Sequence, residues 1–356
     1  MAVSARQTKV GINVATSGSW GTGVGTATAV GAGDGFYVLD DLGVQLQTAY
    51  TVDDSAGQSF IGSVQTATVA AVSGVVPTFL HYHDVFQNVL WALTLGTGGT
   101  SPTRIGTTTA YTNTFEPATT KTGRYATIVR DKSIDIYEVS AAKFTGFELT
   151  FGDAGRAEIR WTFIGNTEVN DSTINTATQI SALTFPTQGL RAHFDDAIFR
   201  VNAQGGAGLA GGDALKITSL RVKFDQPMDT KHVGGQTVII EPEETGFPTF
   251  ELEVECARYD ATSDAFFAGH RDGTEYKADL TLTGPTLATT NYGLLFQFPR
   301  LYVPSYSAPV PGGAGQVAPR VRFAALSTTT APTGMTGVTV PLRVVTTGVS
   351  TANPFA

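Results

Sequence analysis

The chain has 356 residues, of which 42% are hydrophobic and 15% are charged, and its formal net charge is −8. This length predicts about two domains and a sizeable core. The acidic balance argues against a surface that grips nucleic acid through clustered Lys and Arg, although it does not exclude contact with passing DNA, to which an acidic or neutral wall would not stick. Abundant Gly, Thr, Ala and Val favour strands over long helices, and the low charge suggests a surface largely covered by partners.

Residues 1–35 are small and glycine-rich, and we expect an extended N-terminal arm with Trp20 as its one large anchor. A segment this poor in apolar mass cannot hold a core of its own. Residues 1–18 lack the apolar core of a signal peptide. The apolar stretch 85–95 is far too short to span a membrane, so we expect no membrane insertion.

Residues 36–166 are predicted to form a first β unit. A strand is predicted over 144–151, where Phe147, Leu149 and Phe151 alternate with polar residues in the period-2 pattern of a half-buried strand. The other strands predicted here are 37–46, 62–72, 126–129, 133–139 and 158–164. Apolar residues at helical spacing predict a short helix over 84–93, and the polar stretch 167–189 is the predicted linker.

Residues 190–326 are predicted to form a second β unit. In the strand 250–256, alternate residues are apolar, and Glu251, Glu253 and Glu255 occupy the opposite face. A short helix is predicted over 260–268, ending at Gly273. Residues 327–356 are predicted to be a tail with one possible edge strand.

The two units repeat one plan. Strand-like runs at 39–46 and 217–224 stand 178 residues apart, and each leads to a polar arm, a Pro-Thr-Phe step and a short helix. The closing hairpins share Gly155 and Gly315 and the Arg and Phe residues that follow, at an offset of 160. The sequence therefore predicts two diverged tandem units, each a β-sandwich or barrel with a flanking helix and a long arm.

No pattern of catalytic or metal-binding residues rises above its ordinary structural interpretation. His81 and His83 could share a metal only with a third ligand, and none stands nearby, so surface or interface histidines are favoured. The Gly-x-Gly runs lack the Lys-Ser/Thr of a phosphate loop. Cys256 is the only cysteine and lies on the apolar side of its strand, so we expect a core residue. We predict no enzyme and no cofactor.

Sheets with long polar arms offer edges with which neighbouring subunits can pair. The candidate subunit contacts lie on the arms and the N-terminal segment: Trp20, Tyr50, Asp53, Asp54, Asp229, Lys231 and His232. The row Glu251, Glu253 and Glu255 is the candidate acidic face, which could line solvent or an internal channel.

Residues 192–285 resemble the second half of long-form siphophage tail tube (major tail) proteins. The resemblance lies in the strand 217–224, the arm with Asp229 and Lys231, the strand 250–256 and the helix that follows it. The closing hairpin 292–326 is similar too, and the first half matches more loosely through 37–46 and 143–165. Together these segments cover about two thirds of the chain.

The resemblance implies a virion tail protein, assembled in the bacterial host cytoplasm, whose rings stack around a channel for DNA. Two units per chain imply a pseudo-hexameric ring of three copies rather than six, with other tail proteins at the tube ends. A different class remains open from the residues alone, namely a β-sandwich binding module for capsid decoration or glycan adhesion. Aromatic residues grouped on exposed loops would favour that class, and the sequence has only scattered ones.

Overall fold

A computed structural model describes residues 8–14, 20, 27–52, 64–82, 84–96, 101–152, 155–170, 172–186, 190–234, 236, 238–287, 289–312, 315–351 and 354–355. The protein is mainly β, with 46% strand and 11% helix, as the composition predicts. Nearly all strands belong to one large antiparallel sheet.

The described part of the chain contains three α-helices and nineteen strands. The helices are α1 (Asp84–Leu95), α2 (Ala177–Ala182) and α3 (Ala261–Asp272). The strands up to the end of α2 are β1 (Lys9–Val14), β2 (Gly35–Phe36), β3 (Gln45–Val52), β4 (Val64–Phe79), β5 (Thr103–Arg104), β6 (Tyr111–Phe115), β7 (Ala126–Asp131), β8 (Ile136–Phe151), β9 (Glu158–Gly165) and β10 (Glu168–Val169). The later strands are β11 (Ala197–Ala203), β12 (Ile217–Asp225), β13 (Met228–Asp229), β14 (Glu243–Glu244), β15 (Thr249–Cys256), β16 (Tyr276–Leu287), β17 (Thr290–Ser307), β18 (Arg320–Ala325) and β19 (Arg343–Gly348).

Two sets of six strands pair in the same spatial order. The first set runs β1-β7-β8-β9-β4-β3. The second set runs β11-β16-β17-β18-β15-β12. In each set the first and second strands in sequence lie at the two ends, and a helix follows the third. The closing strands also agree, because β10 pairs with β8 and β19 pairs with β17.

The two sets join along β8 and β12, which pair antiparallel from Phe151 opposite Leu220 to Gly146 opposite Asp225. The order β3-β4-β9-β8-β12-β15-β18-β17 is therefore continuous across the molecule. A second connection runs through β19, which lies between β17 of the second set and β6 of the first half of the chain.

The core lies where the two sets meet, around Trp91 of α1. The Trp91 ring is fully buried, 4.7 Å from the ring of Trp161 and 5.0 Å from that of Phe147, both in the first set. It also packs edge-on at 5.5 Å against Phe296 of β17 in the second set. One tryptophan thus contacts both sets, which makes them one packed core rather than two separate ones.

Helix α3 shows why its sequence folds locally. Asp260 caps the N-terminus by accepting a hydrogen bond from the Ser263 amide at 3.0 Å. Gly273 ends the helix in the left-handed conformation at φ 71°, where a side chain would be strained. The predicted helix at 260–268 is confirmed, and so is the one at 84–93, which continues to Leu95.

Several predicted elements need correction. The strand predicted at 37–46 lies further along as β3, and strands predicted at 133–139 and 144–151 form the single strand β8. Part of the expected N-terminal arm is β1, which pairs with β7 of its own subunit. Part of the expected linker is helix α2. The predicted edge strand of the tail, β19, is interior because it has a neighbour on each side.

Candidate assembly surfaces

The outer face of the continuous sheet carries rows of charged side chains that pair across strands. Arg221 of β12 donates two hydrogen bonds, each 2.9 Å long, to the carboxylate of Glu148 in β8. It also lies 3.5 Å from a carboxylate oxygen of Glu253. The period of two that buries alternate residues of these strands places all these groups on one side.

The Glu148–Arg221 pair joins the two sets directly. The hydrogen bonds from Arg221 lower the pKa of the Glu148 carboxyl, and the same bonds raise the pKa of the Arg221 guanidinium. The Glu148 side chain is 34% exposed and the Arg221 side chain is 42% exposed, so solvent screens the attraction between them. The pair sets the register of the junction more than it stabilises the fold.

The predicted acidic face has basic partners. Glu251 forms an ion pair with Arg322, and Glu255 lies 3.3 Å from Arg320. With the contact between Arg221 and Glu253, each of the three glutamates has an arginine on a neighbouring strand. The row exists where the sequence placed it, but the face around it carries a balance of both charges. Alternation within β15 could not reveal this because the arginines are on other strands.

The predicted second arm, residues 225–236, continues into a segment before β15 that docks on the first half of the chain, and arm and segment are together called the arm below. The carboxylate of Glu241 accepts hydrogen bonds from the amide of Gly123 at 2.8 Å and from Nζ of Lys143 at 2.9 Å. That of Glu244 accepts from the amide of Lys121 at 2.9 Å. The arm therefore fixes its set against the preceding one through two partly buried carboxylates, one of which pairs with the buried ammonium of Lys143.

Lys121 beneath this arm is an unusual residue because its side chain is almost wholly buried. Its Nζ donates to the carbonyl of Thr94 and lies 4.7 Å from the ring centroid of Phe224. Burial lowers the pKa of Lys121 to about 7, with nearby Glu244 opposing that shift. No sequence pattern predicts the burial of Lys121, since a lone Lys between polar residues is normally exposed.

The candidate contact residues lie in different places. The Trp20 indole donates to the carbonyl of Ile239 at 2.8 Å and packs edge-on against Tyr125 at 5.6 Å, so it anchors the N-terminal segment within its own subunit. Asp229 and Lys231 form a partly exposed ion pair at 3.2 Å, and His232 is exposed beside them.

Three of the candidate contact residues remain, all in or next to β3. Tyr50 lies in β3. Asp53 and Asp54 lie outside the described residues. Whether any of the seven candidates contacts a neighbouring subunit stays a prediction.

Sequence reasoning missed two free sheet edges. Among the described residues, β3 pairs only with β4, and β17 beyond Leu301 pairs only with β18. Leu46 of β3 is 46% exposed, and Val310, just after β17, is 83% exposed. A strand edge that has no partner and carries exposed apolar residues is a common site of pairing with another chain. Composition hinted at covered surfaces, but only the topology identifies which ones.

The described residues contain no group of three or more His, Cys, Asp or Glu that could hold a metal. His81 is fully buried rather than on the surface, and His83 lies outside the described residues. Cys256 is buried, as predicted, and burial raises the pKa of its thiol to about 11, which makes it a poor nucleophile. None of the described helices has the length and apolarity needed to cross a membrane.

Comparison with known families agrees with the geometry of paired strands, arms and free edges. The model of the family described as phage tail tube protein matches residues 5–345, nearly the whole chain. No match was found among curated proteins. The chain therefore belongs to the phage tail tube protein family, and it is a non-enzymatic structural component of the virion tail that self-assembles into the tube.

Proposed function

We propose that this tube protein carries two tandem tail-tube units and that three copies form a pseudo-hexameric ring. The observation that carries the proposal is the identical strand order of the two sets, β1-β7-β8-β9-β4-β3 and β11-β16-β17-β18-β15-β12. Chance similarity of β patterns is common, but the same six-strand order with a helix at the same place is not.

The registers of the strands support the duplication further. Leu46 lies opposite Val72 as Phe224 lies opposite Phe250, and both residues of the first pair differ by 178 from those of the second. This is the offset found in the sequence for the opening strands. The same offset relates β4 to β15. The Pro-Thr-Phe tripeptide lies at the end of β4 but at the start of β15, so the two tripeptides are not at equivalent positions.

The last two strands of each set support the same conclusion. Gly146 lies opposite Thr162, and Ser305 lies opposite Arg322. A bulge precedes Gly146 in β8 and Ser305 in β17, and the residues opposite them, Thr162 and Arg322, are 160 positions apart, which is the offset of the closing hairpins. A bulge at equivalent positions is a retained feature of a fold rather than an accident.

In this ring the charged face of the continuous sheet lines the channel, and stacked rings conduct DNA, with other tail proteins at the tube ends. The physical support is the pairing of each glutamate with an arginine on that face. The described arginines opposite these glutamates are engaged in ion pairs, which weakens their attraction for phosphates and favours movement of DNA past the wall.

Electron microscopy of the purified protein tests the proposal. We expect rings or tubes of uniform diameter with six similar wall segments, and native mass spectrometry should give three copies per ring. A ring of six copies would overturn the tandem-unit stoichiometry. A protein that stays monomeric at high concentration, with no ring in any preparation, would overturn the assembly proposal itself.

A further inference from the structure

The pairing of β8 with β12 inside the chain is also a template for pairing between chains. Counted along the sequence, β12 is the second strand of its set and β8 is the fifth strand of its set. In this junction β12 adds to the side of β8 that faces away from β9. The rings of Phe147 and Phe224 pack across it with centroids 5.9 Å apart. The amide of Gln226 extends it by donating to the carbonyl of Thr145 at 2.8 Å.

The equivalents of these two strands are the two free edges. Counted again along the sequence, β3 in the first set is equivalent to β12 in the second set, since each is the second strand. In the same way β17 in the second set is equivalent to β8 in the first set, since each is the fifth strand. Ala142 of β8 has neighbours on β7 and β9, and Leu301 of β17 has neighbours on β16 and β18. After Ala142, the edge of β8 that had paired with β7 pairs with β12. After Leu301, the edge of β17 that had paired with β16 has no partner among the described residues.

The register follows from the two pairings already described. Phe224 corresponds to Leu46, because each lies opposite the equivalent residue of the next strand in its set. Phe147 corresponds to Tyr306 by the same argument from β9 and β18. Because Phe224 lies opposite Phe147, Leu46 of one copy should lie opposite Tyr306 of another.

We propose that residues 42–47 of one copy, which include the start of β3, pair antiparallel with residues 305–310 of the next copy, with Leu46 opposite Tyr306 and Gln45 opposite Ser307. This inference rests on the proposed ring of tandem units and deepens it, since it names the strands that close the ring. The partner is a second copy of this chain.

Exposure of the edge residues supports this occupant. Leu46 and Val310 are exposed in the isolated chain, at 46% and 83%, and the register would bring both edges out of water. The hydroxyl of Tyr306 is buried without a hydrogen-bond partner. A strand from another copy would satisfy the main-chain groups along both edges and cover the apolar side chains.

The chemistry of the two junctions differs in one respect. Glu148 and Arg221, which pair within the chain, correspond to Ser307 and Gly43 at the edges. The junction between copies therefore lacks this ion pair and depends on main-chain hydrogen bonds and apolar contacts. We expect its stability to change little with salt, because screening acts on charges.

Disulfide trapping tests the register. Directly opposed residues in an antiparallel pair have Cα atoms roughly 4.5–5.5 Å apart, which a disulfide can span. Gln45 and Ser307 are exposed, and the only native cysteine, Cys256, is buried. Oxidation of rings carrying Gln45→Cys and Ser307→Cys should link three chains into one covalent species. The matched control, Gln45→Cys with Ser305→Cys, is two residues out of register and should link several-fold less.

A second pair of variants does not depend on disulfide chemistry. Leu46→Asp should fold as a monomer, since the side chain is exposed, but should lose ring formation in electron microscopy. Ile198→Asp places the same change at a similarly exposed apolar residue, 51% accessible, on β11. It should retain rings, because β11 has no counterpart in the junction.

The outcomes separate this inference from the proposed function. Rings that form normally while the register pair links no better than its control would overturn the strand pairing and leave the ring of three intact. Rings formed by Leu46→Asp as readily as by the wild type would do the same. A wild-type protein that forms no ring would overturn both.

Discussion

The two sets share a strand order but differ in what they bury. Most of the buried polar side chains lie in the first half of the chain, including Gln87, Asn88, Lys121 and Lys143. The second set contributes mainly apolar residues, and its helix has well-formed caps at both ends. Position explains part of the difference, because the arm of the second set covers Lys143 and β19 covers Asn88. Other buried polar groups of the first half, such as Glu138 and Asn175, bond to each other.

The largest expected effect is a loss of stability that both sets of strands share. Trp91→Ala removes the one ring that contacts Phe147, Trp161 and Phe296. We expect a loss of about 3–5 kcal/mol in the free energy of unfolding, as for other buried aromatic residues. Urea unfolding followed by circular dichroism would measure it, and both sets should unfold in one transition. Ile134→Ala, at an 81% exposed residue, is the control and should change stability little. Two separate transitions in the wild type would contradict a shared core.

The next effect concerns the buried lysine of the first half. Lys121 has a pKa of about 7 in the folded protein and 10.5 in a free chain. Between these values the unfolded chain binds the extra proton, so the free energy of unfolding rises with pH from about 7 to 10.5. The burial cost is greatest below pH 7. Lys121→Met should therefore be more stable than the wild type at pH 6, by on the order of a few kcal/mol.

Thermal unfolding of both proteins across this pH range would measure the difference. The advantage of Lys121→Met should shrink steadily toward pH 10. Lys132→Met is the control for removing a lysine charge at a partly exposed site, since that side chain is 41% exposed. A difference between wild type and Lys121→Met that stays constant with pH would contradict the assigned pKa.

A smaller effect would sharpen the contrast between the helices. Asp260→Ala removes the side chain that caps α3 and should cost about 1 kcal/mol. Amide hydrogen exchange should quicken in the first turn of α3 and not in α1. Asp260→Asn should retain most of the stability, since an Asn side chain caps a helix nearly as well. Equal loss in both variants would mean that charge, including the 3.6 Å contact with Arg258, matters more than the cap.

The smallest effect belongs to the ion pair across the internal junction. Arg221→Ala and Glu148→Ala should each cost at most about 1 kcal/mol, because both groups are partly exposed. A double-mutant cycle in low and high salt would measure the coupling, which should fall as salt increases. A coupling of several kcal/mol that salt does not change would contradict a role confined to register.

Much of the fold could be read from the sequence because alternation leaves a local signal. Phe147, Leu149 and Phe151 predict their strand without any partner, and Phe250 to Cys256 do the same. The offset of 178 between opening strands was also visible, and it matches the register of β3 on β4 and of β12 on β15.

Other elements left no such signal. β1 contains Gly11 and follows no clear alternation, so its pairing with β7 comes from the docking of a long-range neighbour. β19 follows Pro341 and looks like an edge, yet it becomes interior because β6 from the first half reaches it. Pairing partners more than a hundred residues apart are set by the packing of the whole chain rather than by local pattern.

The sequence by itself determined the class of the protein, the alternating strands, the two short helices and the repeated plan, since each depends on residues close together in the chain. Only the tertiary structure decided how the two sets of strands meet. It placed β12 beside β8, covered Lys121 with an arm and gave each glutamate of β15 an arginine. It also left one side of β3, and of β17 beyond Leu301, without a partner among the described residues. These features depend on which strand edges remain unpaired once the core is packed, and that is a property of the assembled sheet rather than of any one segment.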